Sequence, residues 1–175
     1  GLSNLKEIIA TVNFLKKENP IYNKKENLSI LQCTSLYPNN IKDANLNVIK
    51  TLKQNFNYPI GYSDHTKGSL ALKTAYTMGA EILEFHFTDS RTNKKFRDHH
   101  ISLTKNEVLD LIKSIKEISI LKGNHQKVLL PKEISTGHAI SFRRAVYTNK
   151  FIKSGARIKK NDLVVLRPNH GLDAR

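Results

Sequence analysis

Apolar residues at Leu5, Ile8, Ile9, Val12 and Leu15 recur at helical spacing, with Ser3 or Asn4 ahead as a cap and Lys16 and Lys17 near the negative end, and they predict an amphipathic helix. Asn19 to Asn27 is a polar connection. The run Leu28-Ser29-Ile30-Leu31-Gln32-Cys33 is short, apolar and suited to a buried strand, with Thr34 to Asn40 as its exit loop. The pattern then predicts a helix over Asp43 to Asn55, a short strand over Pro59 to Ser63, a helix over Gly68 to Met78 and a strand over Ala80 to Phe87. Strict alternation of strand and helix implies parallel strands joined by right-handed crossovers. Thr104 and Glu107 have capping-box spacing, Val108, Ile112, Ile115 and Ile118 follow on one face, and Gly123 can take the left-handed conformation that stops this last helix.

The grammar changes after Gly123. Asn124 to Ser141 contains Pro131 and no sustained period, which predicts a linker. Arg143 to Thr148 alternates like a strand, turns follow at Lys153 to Ala156 and at Asn161-Asp162, and Leu163 to Leu166 is a strand ending at Arg167-Pro168. So short a β region has too little chain for its own core and reads as the start of a second domain. The expected organisation is therefore 1–123, a linker over 124–141, and 142–175.

Composition narrows the class. A chain of 175 residues with 39% hydrophobic content supports a real core. The net charge of +14 favours anionic partners, but 22 of the 29 basic residues are scattered lysines, and aromatics do not interleave with them as stacking platforms on a nucleic acid would. Cys33 is the one cysteine, so no internal disulfide forms, and a reducing cytoplasm is the expected location. No run approaches the roughly 18 apolar residues of a membrane span. The chain starts at Gly1 almost directly in a helix, as though cut from a longer protein.

Each strand ends in polar groups: Thr34, Ser35 and Tyr37 after the first, Ser63, Asp64, His65 and Thr66 at the second, and Glu84, His86 and Thr88 at the third. In parallel α/β folds the carboxyl ends of strands share one rim where ligands bind. One βα unit separates His65 from His86, which would let them share a divalent ion with water and substrate oxygens completing its shell, a donor set suited to Mn, Mg, Co or Zn. The plainer readings are a loop histidine at 65, a core histidine at 86, an Asx-type turn at Ser63-Asp64, and a solvated turn at Asp98-His99-His100, which otherwise brings a third cluster to the rim.

At these residues the sequence resembles the N-acetylneuraminate (sialic acid) synthase family, including legionaminate and pseudaminate synthases. Cys33-Thr34-Ser35-Leu36-Tyr37-Pro38 resembles its C-T-S/N-x-Y-P, Pro59 to Thr66 its P-x-G-x-S-D-H-T, and Ile82 to Thr88 its I-x-E-K/R-H-F-T, while Leu166 to Gly171 is similar to the K-R-P-x-x-G of the appended antifreeze-like (SAF) domain. The resemblance implies the C-terminal portion of a TIM (β/α)8 barrel, its sixth to eighth strands, followed by the start of a SAF domain. It implies condensation of phosphoenolpyruvate with an N-acetylmannosamine-like aldose to a nine-carbon 2-keto acid and phosphate, assisted by a divalent metal (Mn, Mg or Co) on His65 and His86. By the same match Ser63 binds phosphoenolpyruvate, Ser35 and Tyr37 line the site, Asp98 reaches the sugar, and Arg167 crosses from the partner subunit of a domain-swapped homodimer to the N-acyl group.

Three positions depart from the family pattern. Phe85 stands for a Lys or Arg, Lys94-Lys95-Phe96-Arg97-Asp98 replaces P-G-P-D, and Ser35 matches an Asn of some members. Two other readings compete: a metal-dependent aldolase or isomerase acting without phosphoenolpyruvate on the same barrel, and a non-catalytic basic binding module. A barrel takes about 250 residues, so the resemblance places the earlier strands, with a catalytic glutamate and phosphoenolpyruvate-binding lysines, upstream, and this stretch alone is expected not to catalyse. Its open edge at Leu28 to Cys33 exposes unpaired backbone groups. Expressed alone, residues 1–175 should give no cooperative, reversible thermal melt by circular dichroism, and observing one would contradict this expectation.

Overall fold

A computed structural model describes all 175 residues, which divide into two compact units, Gly1–Gly123 and Asn124–Arg175. The first unit runs α1 (Leu5–Glu18), β1 (Ile30–Cys33), α2 (Val48–Asn55), β2 (Ile60–Asp64), α3 (Leu70–Thr77), β3 (Ile82–Phe85) and α4 (Lys105–Lys122). The strands form a parallel sheet in the order β1-β2-β3, with Ile30 opposite Ile60 and Gly61 opposite Ile82. The alternation in sequence is thus a true α/β alternation in space. Asn4 caps α1, accepting from the Glu7 N–H, and Glu7 returns a bond to the Asn4 N–H.

The register sorts the side chains by face. Ile30, Ile60, Tyr62, Leu83 and Phe85 lie on the face covered by helices, packed with Ile49, Leu52, Leu72, Ala75, Leu103 and Leu111. Leu31, Cys33, Gly61, Ser63, Ile82 and Glu84 lie on the other. Gly61 is required there, since a Cβ would meet the Ile82 carbonyl oxygen at 2.7 Å and Leu31 Cγ at 2.9 Å.

Element boundaries differ from expectation where local chemistry intervenes. The helix predicted from Asp43 begins only at Val48, because Ile41–Asp43 is a 3-10 turn and Asn45 adopts a φ of 48°, a left-handed conformation that asparagine tolerates and a helix does not. Gly123 ends α4 with a positive φ of 52° but an extended ψ of −140°, outside the left-handed helical region expected for it. In the second unit the stretch expected to be a plain linker holds α5 (Pro131–Ser135) and α6 (His138–Ser141), the first opened by Pro131 and the two separated by left-handed Gly137. Helices of five and four residues are too short to show a period. The unit continues with β4 (Ala145–Thr148), β5 (Leu163–Leu166) and β6 (Leu172–Asp173), an antiparallel sheet in the order β5-β4-β6. The two-residue β6 carried no signal in the sequence.

At the start of α4 the Glu107 carboxylate accepts from the Thr104 N–H at 2.7 Å and the Thr104 hydroxyl at 2.9 Å, and it meets Arg91 Nη2 at 2.6 Å. The Arg91 bond above all, and then the Thr104 N–H, holds this carboxyl at about 2, below its usual range. A folded-state value below the unfolded one makes the contribution complete above about pH 4.5 and lost as pH falls toward 2. Glu107→Gln should therefore lower stability at pH 7 by about 1 kcal/mol, as for loss of a helix cap. In denaturant titrations the gap between wild type and variant should narrow from pH 4.5 downward, and a gap independent of pH would contradict the assignment.

Candidate active site

The carboxyl ends of β1, β2 and β3 bring four of the expected residues together. The Tyr37 ring lies 4.0 Å from the His65 ring and edge-on to His86 at 5.7 Å, and the two imidazole centroids are 5.3 Å apart. Asp98 Oδ2 lies 3.6 Å from His86 Nδ1. Ser63 stands on the same rim one residue pair earlier, its hydroxyl donating to Glu84 Oε1 at 2.6 Å. Ser35 sits in the loop after β1 beside Gly1, whose added Cβ would fall 2.1 Å from Ser35 Oγ, and shares no hydrogen bond with the histidines. Arg167 belongs to the second unit, where its guanidinium lies 5.7 Å from the centre of the Phe142 ring.

Two backbone-directed bonds fix His65. Its Nδ1 meets the Thr34 carbonyl at 2.8 Å, and its own carbonyl accepts from the Asn39 N–H at 2.8 Å. A carbonyl only accepts, so Nδ1 carries a hydrogen, and in the neutral imidazole Nε2 then holds the lone pair, the arrangement of a metal-ligating histidine. The residue is buried, as the plainer loop reading did not anticipate. Behind it Asp64, also buried, accepts from the Tyr62 hydroxyl (3.0 Å), the Thr66 N–H (2.8 Å) and the Thr66 hydroxyl (3.2 Å). Asp64 therefore shapes the strand end from the helix side of the sheet. Burial first, and then the Asp64 carboxylate, push the Tyr62 phenol above its ordinary value and keep it a donor.

Asp98 arrives from a long excursion after β3. The loop is closed at its base by Leu103 N–H to the His86 carbonyl (2.7 Å) and Thr88 N–H to the Leu103 carbonyl (2.9 Å). Its tip folds into a 3-10 turn, Arg97–His100, rather than the solvated turn of the plainer reading. His99 Nδ1 bonds the buried Thr88 hydroxyl at 2.8 Å, and Arg91 grips the Ser102 carbonyl through Nε (3.1 Å) and Nη2 (2.7 Å). These ties return Asp98 to His86, and its buried Oδ1 finds no hydrogen-bond partner. Phe85 lies on the helix-covered face, so the departure from Lys or Arg there is taken up in the core. Sequence reasoning passed over Glu84 as a partner of Ser63, although facing positions on paired strands would have indicated it. It also passed over Arg97, which covers Tyr37 with its guanidinium 4.6 Å from the ring centre.

The donor set fits a divalent ion. Two imidazoles stand side by side, His65 with Nδ1 on the Thr34 carbonyl and His86 with Asp98 Oδ2 3.6 Å from its Nδ1. No third His, Cys, Asp or Glu joins them in a group able to hold a metal, so water and substrate oxygens would complete the shell.

A parallel α/β unit with a histidine pair and a carboxylate at its strand ends carries its polar groups on the rim where ligands bind in such folds. The chain belongs to the NeuB family, whose model matches residues 1–127. It is 33% identical to the N,N'-diacetyllegionaminic acid synthase of Legionella pneumophila over 98% of this chain and 47% of that protein, and 32% identical to the N-acetylneuraminate-9-phosphate synthase of Mus musculus over 94% and 44%. Among solved structures it is similar to the N-acetylneuraminic acid (sialic acid) synthetase of Leptospira borgpetersenii, with 35% identity and a TM-score of 0.66 over 79% of this chain and 46% of that one. The chain spans about half the length of the curated relatives it matches.

The Tyr62–Asp64–Thr66 cluster yields a stability prediction for the full-length protein. Tyr62→Phe removes one bond to a buried carboxylate and should cost about 1–2 kcal/mol, whereas Asp64→Ala strands the Tyr62 hydroxyl and the Thr66 N–H and should cost about 2–4 kcal/mol. Urea titration checks the order, and an equal or reversed cost would contradict the central role of Asp64.

Proposed function

We propose that this chain is part of a sugar-acid synthase that condenses phosphoenolpyruvate with an N-acylated aminohexose of the N-acetylmannosamine kind, giving a nine-carbon 2-keto acid and inorganic phosphate. The observation that carries the reading is the His65–His86–Asp98–Tyr37 cluster at three consecutive strand ends, in a chain of the NeuB family. In this reading residues 1–123 are the C-terminal part of a TIM barrel, 124–141 a linker and 142–175 the start of a SAF domain. The full protein works in the cytoplasm as a domain-swapped homodimer.

His65 and His86 hold a divalent metal (Mn, Mg or Co), which when bound supplies Lewis-acid polarisation of the sugar aldehyde. Ser63, oriented by Glu84, binds phosphoenolpyruvate, and Asp98 reaches the sugar. Ser35 and Tyr37 wall the site, and Arg167 of the SAF domain grips the N-acyl group across the dimer. Carbon 3 of phosphoenolpyruvate bonds to the aldehyde carbon as the C=O π bond breaks, and the aldehyde oxygen takes up a proton to become a hydroxyl. Water adds at carbon 2, and the bond from that carbon to the phosphate oxygen breaks, releasing phosphate and leaving the ketone. Holding the two reactants in line is the larger service of such a rim, because orientation removes an entropic barrier from a two-substrate step.

The full-length protein with Mn should release phosphate from phosphoenolpyruvate only when a suitable aldose is present, and His65→Ala should reduce release to background. Release without sugar, or a fully active His65→Ala, would contradict the proposal. Turnover of an aldose without phosphoenolpyruvate would instead favour an aldolase or isomerase.

A further inference from the structure

A cavity of about 460 Å3, within the range of small-molecule sites, opens where α1, the turns ahead of β1 and the segment between α2 and β2 meet. Its lining residues precede β1 and β2, whereas His65 and His86 follow β2 and β3, so it lies at the opposite end of the parallel sheet from the histidine pair. Val12, Phe56 and Tyr58 supply the apolar part of the lining, the first buried and the two rings half-buried. The Tyr58 hydroxyl donates to the Tyr22 carbonyl, which ties the segment before β2 to the turns before β1 and fixes that ring.

The charge of the lining has one sign. Lys16 and Lys25 face the cavity, neither forms an ion pair, and no carboxylate joins them there. Lys16 also answers the negative end of α1, in whose last turn it lies. Lys25 stands instead in a short 3-10 turn, Lys25–Asn27, with no long helix end to answer. The adjoining cavity, which Lys25 also reaches, carries Glu26 and Glu81, the latter paired with Lys53 at 3.6 Å, so an anion is favoured on the Lys16 side. The amides beside the lysines are largely uncommitted. Asn13 and Asn57 form no side-chain hydrogen bond, and Asn23 and Asn55 spend only Nδ2, on the Pro20 and Thr51 carbonyls, keeping Oδ1 as an acceptor.

We infer that this cavity binds a nucleoside monophosphate. Lysine ammonium groups hold phosphate as point charges, carboxamides match the mixed donor and acceptor edge of a nucleobase, and aromatic rings offer a face for it to stack on. Lys16 and Lys25 take the phosphate, Asn13 and Asn57 the base edge, and Phe56 and Tyr58 the base face. A free phosphate or a simple carboxylate uses the lysines alone and leaves amides and rings idle. None of these residues belongs to the rim, so the inference stands or falls separately from the synthase reading.

Isothermal titration calorimetry of the full-length protein without divalent metal tests it, with the 5′-monophosphates of adenosine, cytidine and uridine and with inorganic phosphate as probes. At least one nucleotide should bind saturably and about 10-fold or more tighter than inorganic phosphate, the gain expected from stacking a base on an aromatic ring. The double substitution Lys16→Gln, Lys25→Gln should weaken nucleotide binding by about 10-fold or more. Asn57→Ala should narrow the margin over inorganic phosphate, and His65→Ala should bind the nucleotide as wild type does. No saturable nucleotide binding, equal affinity for inorganic phosphate, binding untouched by the lysine or Asn57 substitutions, or binding lost in His65→Ala would overturn the assignment.

Discussion

The bond between His65 Nδ1 and the Thr34 carbonyl, with the return bond from the Asn39 N–H to the His65 carbonyl, is the constraint on which the rest of the site depends. It joins the exit of one strand to the end of the next, so the two loops are tied to each other. It also fixes chemistry, because a ring whose Nδ1 donates to a carbonyl has only Nε2 left as a base or ligand. Tyr37 lies over this ring and Arg97 over Tyr37, so the stack is built outward from a single buried imidazole. Beneath it, Asp64 fastens the turn to the helix-covered side of the sheet through Tyr62 and Thr66.

The division of labour between the two sheet faces follows from strand geometry. Alternate residues point to opposite sides, so Tyr62 and Asp64 bond on the helix-covered side while Ser63 and Glu84 bond each other on the other face. Phe85 shows why a position beside a ligand in sequence need not touch the site. It is partly buried against the core on the helix-covered face, opposite to Ser63 and Glu84. The loop from Asp89 to Ser102 shows the converse, for its tip is distant in sequence from β3 but returns to His86 because the base is pinned at Leu103 and the interior at Thr88 and Arg91.

Much of this was legible in the sequence. The three strands, the helices and the polar strand ends follow from periodicity and punctuation, and the motifs around Tyr37, His65 and His86 carry the resemblance to the family to which the chain belongs. The parts that were not legible share a cause, namely that they depend on contacts remote in sequence or on single backbone conformations. The late start of α2 turns on the left-handed Asn45, the helices at 131–141 are shorter than a detectable period, and the pairing of Ser63 with Glu84 needs the register of two strands. Arg97 could be seen as a departure, but its place over Tyr37 depends on the whole loop.

In the proposed function His65 and His86 would jointly hold one divalent ion. Anomalous diffraction from crystals of the full-length protein grown with Mn tests it most directly. One strong peak shared by the two imidazoles is expected, with the His65 Nδ1 bond to the Thr34 carbonyl intact. No peak at saturating Mn, or a peak bound by only one of the two histidines, would contradict it.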